Sequence, residues 1–137
     1  MCIRDRATID RVVAVDDSAR IMNPLLAAGQ IHGGLAQGIA QGLLEEFRYD
    51  EEGNPQTTNL ADYTAVSTME VPSYERSFME TPTPRNPLGA KGIGESGSIG
   101  STAAVQSAVV DALAPYGIRH LDMPMTPEKV WAAIDAS

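Results

Sequence analysis

Cysteine is nearly missing from this chain: Cys2 is the single one among 137 residues. That excludes an internal disulfide, a multi-cysteine metal site and an iron–sulfur cluster ligated by these residues, so any redox group must bind by other means. Histidine is almost as scarce. His32 and His120 are far apart in the sequence, and neither lies in a nucleophile elbow, because Gly94-Glu95-Ser96-Gly97-Ser98 misplaces its second glycine for a G-x-S-x-G frame. Hydrolase chemistry has no support here. Positive charge is also short, with ten Lys and Arg scattered against eighteen Asp and Glu for a formal net charge of -8. No basic patch exists to meet nucleic acid or an anionic membrane. No run reaches the roughly 18 apolar residues of a membrane span, and the opening Met1-Cys2-Ile3-Arg4-Asp5-Arg6 has no apolar signal core. The chain reads as soluble and cytoplasmic. Its acidic pairs, Glu45-Glu46 and Asp50-Glu51-Glu52, read as solvated faces rather than a metal site.

What is present suits one domain, since 137 residues at 43% hydrophobic content can bury a sizeable core. Residues 1–6 fit poorly with their neighbours, because a strand pattern begins at Ala7 without a turn or cap. They read as an artefactual or disordered start to a chain that opens in mid-domain. Thr8 to Val15 alternates Ile9, Val13 and Val15 and closes in Asp16-Asp17-Ser18, which predicts a strand and a turn. Ile21 to Leu25 is expected to be extended or a turn around Pro24. From Gly33 the period changes. Leu35, Ile39, Leu43 and Phe47 recur every four residues and predict a helix from about Gly33 to Glu46. Gly34, Gly38 and Gly42 share that spacing, and each costs about 1 kcal/mol relative to alanine in a helix interior. Such a stripe suits a second element packed against the backbone, or a ligand lying on it. Gln37 and Gln41 beside it read as solvated or interhelical amides.

Phe47 to Asn59 resembles a hairpin around Glu51-Glu52-Gly53-Asn54, and Tyr74 to Met79 is a candidate strand. Ile99 to Leu113 predicts a largely buried helix ending before Pro115 and Gly117. Ile118 to Leu121 is a candidate short strand, and Thr126-Pro127-Glu128 marks the start of a terminal helix. Strands and helices mixed in this way predict an α+β fold.

The stretch that invites chemistry is Gly89-Ala90-Lys91-Gly92-Ile93-Gly94-Glu95-Ser96-Gly97. One carboxylate, Glu95, sits in a glycine-rich turn at a helix start, where glycine lets the backbone approach a ligand and unpaired N–H groups carry positive dipole. Gly92, Gly94 and Gly97 formally match the dinucleotide-binding fingerprint. That motif must follow a hydrophobic strand, yet here Pro82, Pro84 and Pro87 precede it, and Glu95 would repel a pyrophosphate. The bland alternative is a structural loop with Glu95 as a first-turn charge. With so few other candidates, one acid screened from water and raised in pKa would suit a site where a large cofactor does the hard step and the protein supplies a general base.

Several segments in order resemble the C-terminal part of the molybdopterin-binding large subunit of the xanthine dehydrogenase, aldehyde oxidase and aerobic carbon monoxide dehydrogenase family. They are Val12 to Asp17, Asn23-Pro24, Gly29 to Ile39, Leu44 to Glu46, Asp62-Tyr63, Gly92 to Glu95, and Asp122 to Trp131. The resemblance implies that residues 7–137 are the C-terminal part of a second molybdopterin-binding domain. It implies a molybdenum hydroxylase with water as oxygen source, Glu95 being the general base to the molybdenum-bound hydroxide. Gln30, Ile93 and Gly94 match positions that contact the cofactor, and no residue of this chain is implied as a metal ligand. The cofactor is molybdopterin, plain or in its cytosine dinucleotide form, with [2Fe-2S] and FAD carried by partner subunits or domains and the full complex a homodimer. The Asp122-Met123-Pro124 and Thr126 to Trp131 ending is more similar to the bacterial branch, whose substrates include aldehydes and aromatic N-heterocycles.

Family members of this kind are several times longer, and the earlier motifs that complete the cofactor and substrate pockets are missing. An isolated chain of these residues is therefore expected to be inactive. The alternatives are a non-catalytic assembly module that docks through the glycine-bearing helix 33–46, and a truncated product with no function.

Overall fold

The computed structural model describes residues 7–137 of the chain, so the expectation for residues 1–6 lies outside the described residues. The architecture is α+β. Strand β1 (Val12–Asp16) pairs in parallel with β2 (Tyr74–Phe78), in the register Val12 to Tyr74 through Asp16 to Phe78. Helix α1 (Pro24–Leu43) lies between them in sequence, and α2 (Ser96–Leu113), a single 3₁₀ turn (Ala114–Tyr116) and α3 (Pro127–Asp135) come after β2.

Helix α1 begins nine residues before the Gly33 start read from the sequence. Asn23 is extended and its side-chain oxygen accepts from the Leu25 and Leu26 amides, while Pro24 takes the first helical position, where its missing N–H costs nothing. The proline expected in an extended or turn segment is a helix start. At the other end the helix stops at Leu43 rather than Glu46, with the Leu44 and Glu45 amides both turning back to the Ala40 carbonyl. Strand β1 is likewise shorter and later than expected, at 12–16 rather than 8–15. Parallel pairing with β2 fixes its limits, and β2 extends for only five residues.

The segment from Phe47 to Asn59 turns back on itself, through an antiparallel bridge between Tyr49 and Pro55 and a Gln56-to-Arg48 backbone bond of 2.8 Å. It forms no strands, because the Asp50 carboxylate gathers the Glu52 and Asn54 amides and both the Asn54 and Gln56 side chains into a compact loop. Residues 118–121 are not a strand either: no partner strand lies beside them among the described residues. The terminal helix matches its signals, with the Thr126 hydroxyl accepting from the Lys129 amide and Glu128 in the first turn.

The α1 and α2 helices form the centre of the chain. A Cβ on Gly34 would lie 2.8 Å from the Ser98 nitrogen, one on Gly38 would overlap the Ser101 side chain, and one on Gly42 would lie 3.0 Å from Val105. The stripe at 34, 38 and 42 thus meets a matching stripe at 97–98, 101 and 105, as when ridges four residues apart interlock. Both series rise together, so the helices run in the same direction and their N-termini share one end. The packing that the glycines predicted is supplied by α2 of the same chain. Ile39, Leu43, Val105, Val109, Leu113, Met125 and Val130 continue the core, and the Met125 amide donates to the Gly42 carbonyl at 2.8 Å. The outer face of α2 is not buried as the sequence suggested: Ile99 is 77% exposed, and Gly100, Ala104 and Ala108 line an open groove of about 1090 Å³ against β1.

Candidate active site

In a parallel pair both strands deliver their C-termini to one edge, where open α/β sheets place ligands. Two loops leave that edge here, residues 17–23 toward α1 and residues 79–95 toward α2. The second carries Ile93, Gly94 and Glu95, and it is laced to the first. The Met79 amide donates to the Asp16 carbonyl at 2.9 Å, the Lys91 amide to the Ser18 carbonyl at 3.0 Å, and Ala19 bridges Ala90. Asn86 closes the intervening turn through its side chain, donating to the Ala90 carbonyl at 2.9 Å and accepting from the Ala90 amide at 3.2 Å.

Asp17 is the principal tie. Its carboxylate accepts from the Ala19 amide at 2.8 Å, the Thr81 amide at 3.1 Å and the Lys91 ammonium at 3.2 Å. The Thr81 hydroxyl and amide, then the Ala19 amide and Lys91, hold this acid well below the usual carboxylate range, because each bond favours the ionised form. Asp16 is buried and accepts from the Ser96 hydroxyl, the first residue of α2. Its second oxygen has no hydrogen-bond partner among the described residues. Sequence reading took Asp16-Asp17 only as the end of a strand. The signal was there in two adjacent acids closing an alternating run, but their partners are 64 to 80 residues away.

Glu95 takes the N-cap position of α2, and its side chain makes no capping bond. Its carbonyl is better held, accepting from the Ser98 and Ile99 amides at 3.1 Å each and from the Ser98 hydroxyl at 3.0 Å. The Glu95 side chain is exposed, not screened from water as the sequence suggested. This chain builds only one wall around it. Gly94 is exposed and Ile93 half-buried. The glycines act differently from expectation as well. Only Gly89 in this loop has a positive φ, 64°, whereas Gly92 and Gly94 have open space where a Cβ would stand.

Gln30 lies exposed in the second turn of α1. A Cβ on Gly97 would fall 2.6 Å from the Ile31 carbonyl and 3.1 Å from the Gly34 Cα, so the start of α2 crosses α1 beside Gln30. Gln30 is therefore next in sequence to the α1 residue that the start of α2 crosses, and Ile93, Gly94 and Glu95 lead into that start. The glycine fingerprint is also resolved by geometry: a loop rather than a strand precedes Gly92, and Gly97 is a helix-crossing residue.

The sequence profile of the molybdopterin cofactor-binding domain matches residues 4–72. The chain belongs to the molybdopterin cofactor-binding domain family. It is 41% identical over 134 residues to the carbon monoxide dehydrogenase large chain of Hydrogenophaga pseudoflava, covering 95% of this chain and 17% of that protein. It is 46% identical over 123 residues to the nicotine 6-hydroxylase large subunit of Paenarthrobacter nicotinovorans, covering 89% of this chain and 15% of the relative. The fold superposes with a TM-score of 0.92 on the carbon monoxide dehydrogenase from Oligotropha carboxidovorans, at 35% identity over 96% of this chain and 16% of the larger one. The chain thus spans about a sixth of the length of the relatives it matches. The profile ends before the Glu95 loop, whereas the match to the H. pseudoflava protein takes in nearly the whole chain.

The residues at this end fit such a cofactor. Among the described residues, the amides of Gly92, Ile93 and Gly94 have no acceptor, and the absent side chains of Gly92 and Gly94 leave room for a bulky group. Unpaired N–H groups, an exposed glutamine amide and a helix N-terminus are the donor set that an anionic, oxygen-rich ligand calls for.

Proposed function

We propose that this chain supplies one wall of a molybdenum hydroxylase active site, and that residues 7–137 form the C-terminal part of the second molybdopterin-binding domain of a large subunit. The observation that carries the reading is the position of Glu95: a carboxylate without a side-chain partner among the described residues at the start of α2, beside amides and glycines open to a ligand. Gln30, Ile93 and Gly94 hold the cofactor through the Gln30 amide and the backbone of the loop, and Glu95 takes a proton from the attacking oxygen as general base. Molybdopterin, when bound, supplies the two-electron redox step that no side chain here can perform.

The substrate class is an aldehyde or an aromatic N-heterocycle, with water as oxygen source. The identity of 46% to a nicotine 6-hydroxylase subunit supports that class. The cofactor form is plain molybdopterin or the cytosine dinucleotide. Electrons leave through [2Fe-2S] and FAD groups in partner subunits or domains, consistent with relatives named as large chains and large subunits, and the complete assembly is a homodimer in the cytoplasm. No helix of the described residues is long and apolar enough to cross a membrane.

The test is Glu95→Gln in the complete large subunit. Loss of a general base lowers kcat by about 10²- to 10⁴-fold, with molybdenum and pterin content unchanged. Wild-type turnover by that variant refutes the role. An assembly module docking through helix 33–46 is the rival reading, but Gly34, Gly38 and Gly42 are covered by α2, so such docking would first require the helix pair to part.

A further inference from the structure

We propose that Asp16 and Asp17 are positioning residues that fix where the Glu95 carboxylate stands, a role that rests on Glu95 being the base. Loop 79–95 is long and makes no regular structure of its own. Glu95 stands where this loop enters α2, and a misplacement of about 1 Å at a reacting group can cost 10²-fold in rate. Something must tie the loop at both ends.

The two adjacent acids do so from opposite sides of the chain where β1 ends, as successive residues of an extended segment must. Asp17 ties the early and middle parts of the loop through the Thr81 amide and the Lys91 ammonium. Asp16 ties its far end through the Ser96 hydroxyl, immediately after Glu95. Asp16 is 9% exposed, and the bond to Ser96 is the single hydrogen bond its carboxylate makes among the described residues. A buried carboxylate needs donors, so releasing Ser96 is costly and the start of α2 is held to the end of β1. Between the two ties only residues 92–95 are free to face a ligand.

The experiment compares Ser96→Ala, Ser96→Thr and Asp17→Asn in the complete holoenzyme, with Glu95→Gln alongside. Ser96→Ala is expected to lower kcat by about 10- to 100-fold with KM, molybdenum and pterin content unchanged, and to speed amide hydrogen exchange at Ser98 and Ile99, whose amides donate to the Glu95 carbonyl. Ser96→Thr keeps the hydroxyl and restores both readouts. Asp17→Asn speeds exchange at Lys91 and the residues after it, and it serves as the readout of the clamp if Ser96→Ala fails to accumulate. Wild-type kcat and exchange in either removing variant, with Glu95→Gln inactive, overturns the positioning role while leaving the base in place. Full activity of Glu95→Gln overturns the functional reading itself.

Discussion

Glu95 and Asp17 are both exposed carboxylates on connected loops, and their surroundings differ. Asp17 has its acceptor positions filled by Thr81, Ala19 and Lys91, whereas no partner is assigned to the Glu95 side chain among the described residues. A saturated carboxylate makes a structural tie; the unsatisfied one is the base on the proposed reading. The depressed pKa of Asp17 gives its tie a definite pH dependence. A folded-state value below the unfolded one contributes stability above the ordinary carboxylate pKa, about 3.9, and that contribution is lost as pH falls through the lowered folded value. The loop should therefore survive mild acid. In an NMR titration, the Ala19 and Thr81 amide shifts should stay constant through about pH 4, where a free aspartate is half protonated, and move only at lower pH; Asp17→Asn should abolish that acid transition. Glu95 stands out in the sequence because glycines flank it on both sides. Asp16 and Asp17 could not be assigned there, since a strand followed by two acids and a serine is equally the pattern of an ordinary turn, and only the fold brings Thr81, Lys91 and Ser96 to them.

At the scale of elements, local signals were read well wherever the deciding partner was near in sequence. Thr126-Pro127-Glu128 announced α3, because a cap, a proline at the first position and a first-turn acid all act within four residues. Asn23-Pro24 carries the same kind of start for α1, but the glycines at 29 and 33 mask the apolar period there and hide the first turns of the helix. The two strands depend on each other across 62 residues, so their limits come from pairing rather than pattern. The four-residue glycine spacing did reveal that something packs against α1, though not that the partner is α2. That contact makes a sharp contrast between two substitutions. Gly38→Ala places a methyl on the Ser101 side chain and 2.9 Å from the Thr102 nitrogen, and should destabilise by about 1–3 kcal/mol despite a better helix propensity. Gly100→Ala, with nothing within 4 Å of its Cβ, should stabilise by about 1 kcal/mol. Urea unfolding of the two variants beside the parent chain measures both, and equal effects would refute the packing argument.

The whole molecule leaves its site open on one side. Glu95, Gln30 and Gly94 all face outward, and the groove between β1 and α2 leaves Val13 and Val15 57% and 59% exposed. With about a sixth of the length of its relatives, the chain alone should show no turnover of aldehydes or N-heterocycles above the buffer blank in a dye-reduction assay; measurable turnover would show the site to be complete within these residues. On the proposed reading, what the sequence reveals of the site is one wall. The crossing of the two helices has a further consequence for how this wall can change. Because the Gly97 backbone packs closely on the Ile31 carbonyl, α2 begins against the turn of α1 that bears Gln30, with Glu95 two residues before the contact. On the proposed reading, a change that shifts one of these turns disturbs the other, so diversification toward new substrates is pushed outward, to surfaces facing this wall, which stays a fixed anvil beneath differently shaped molecules.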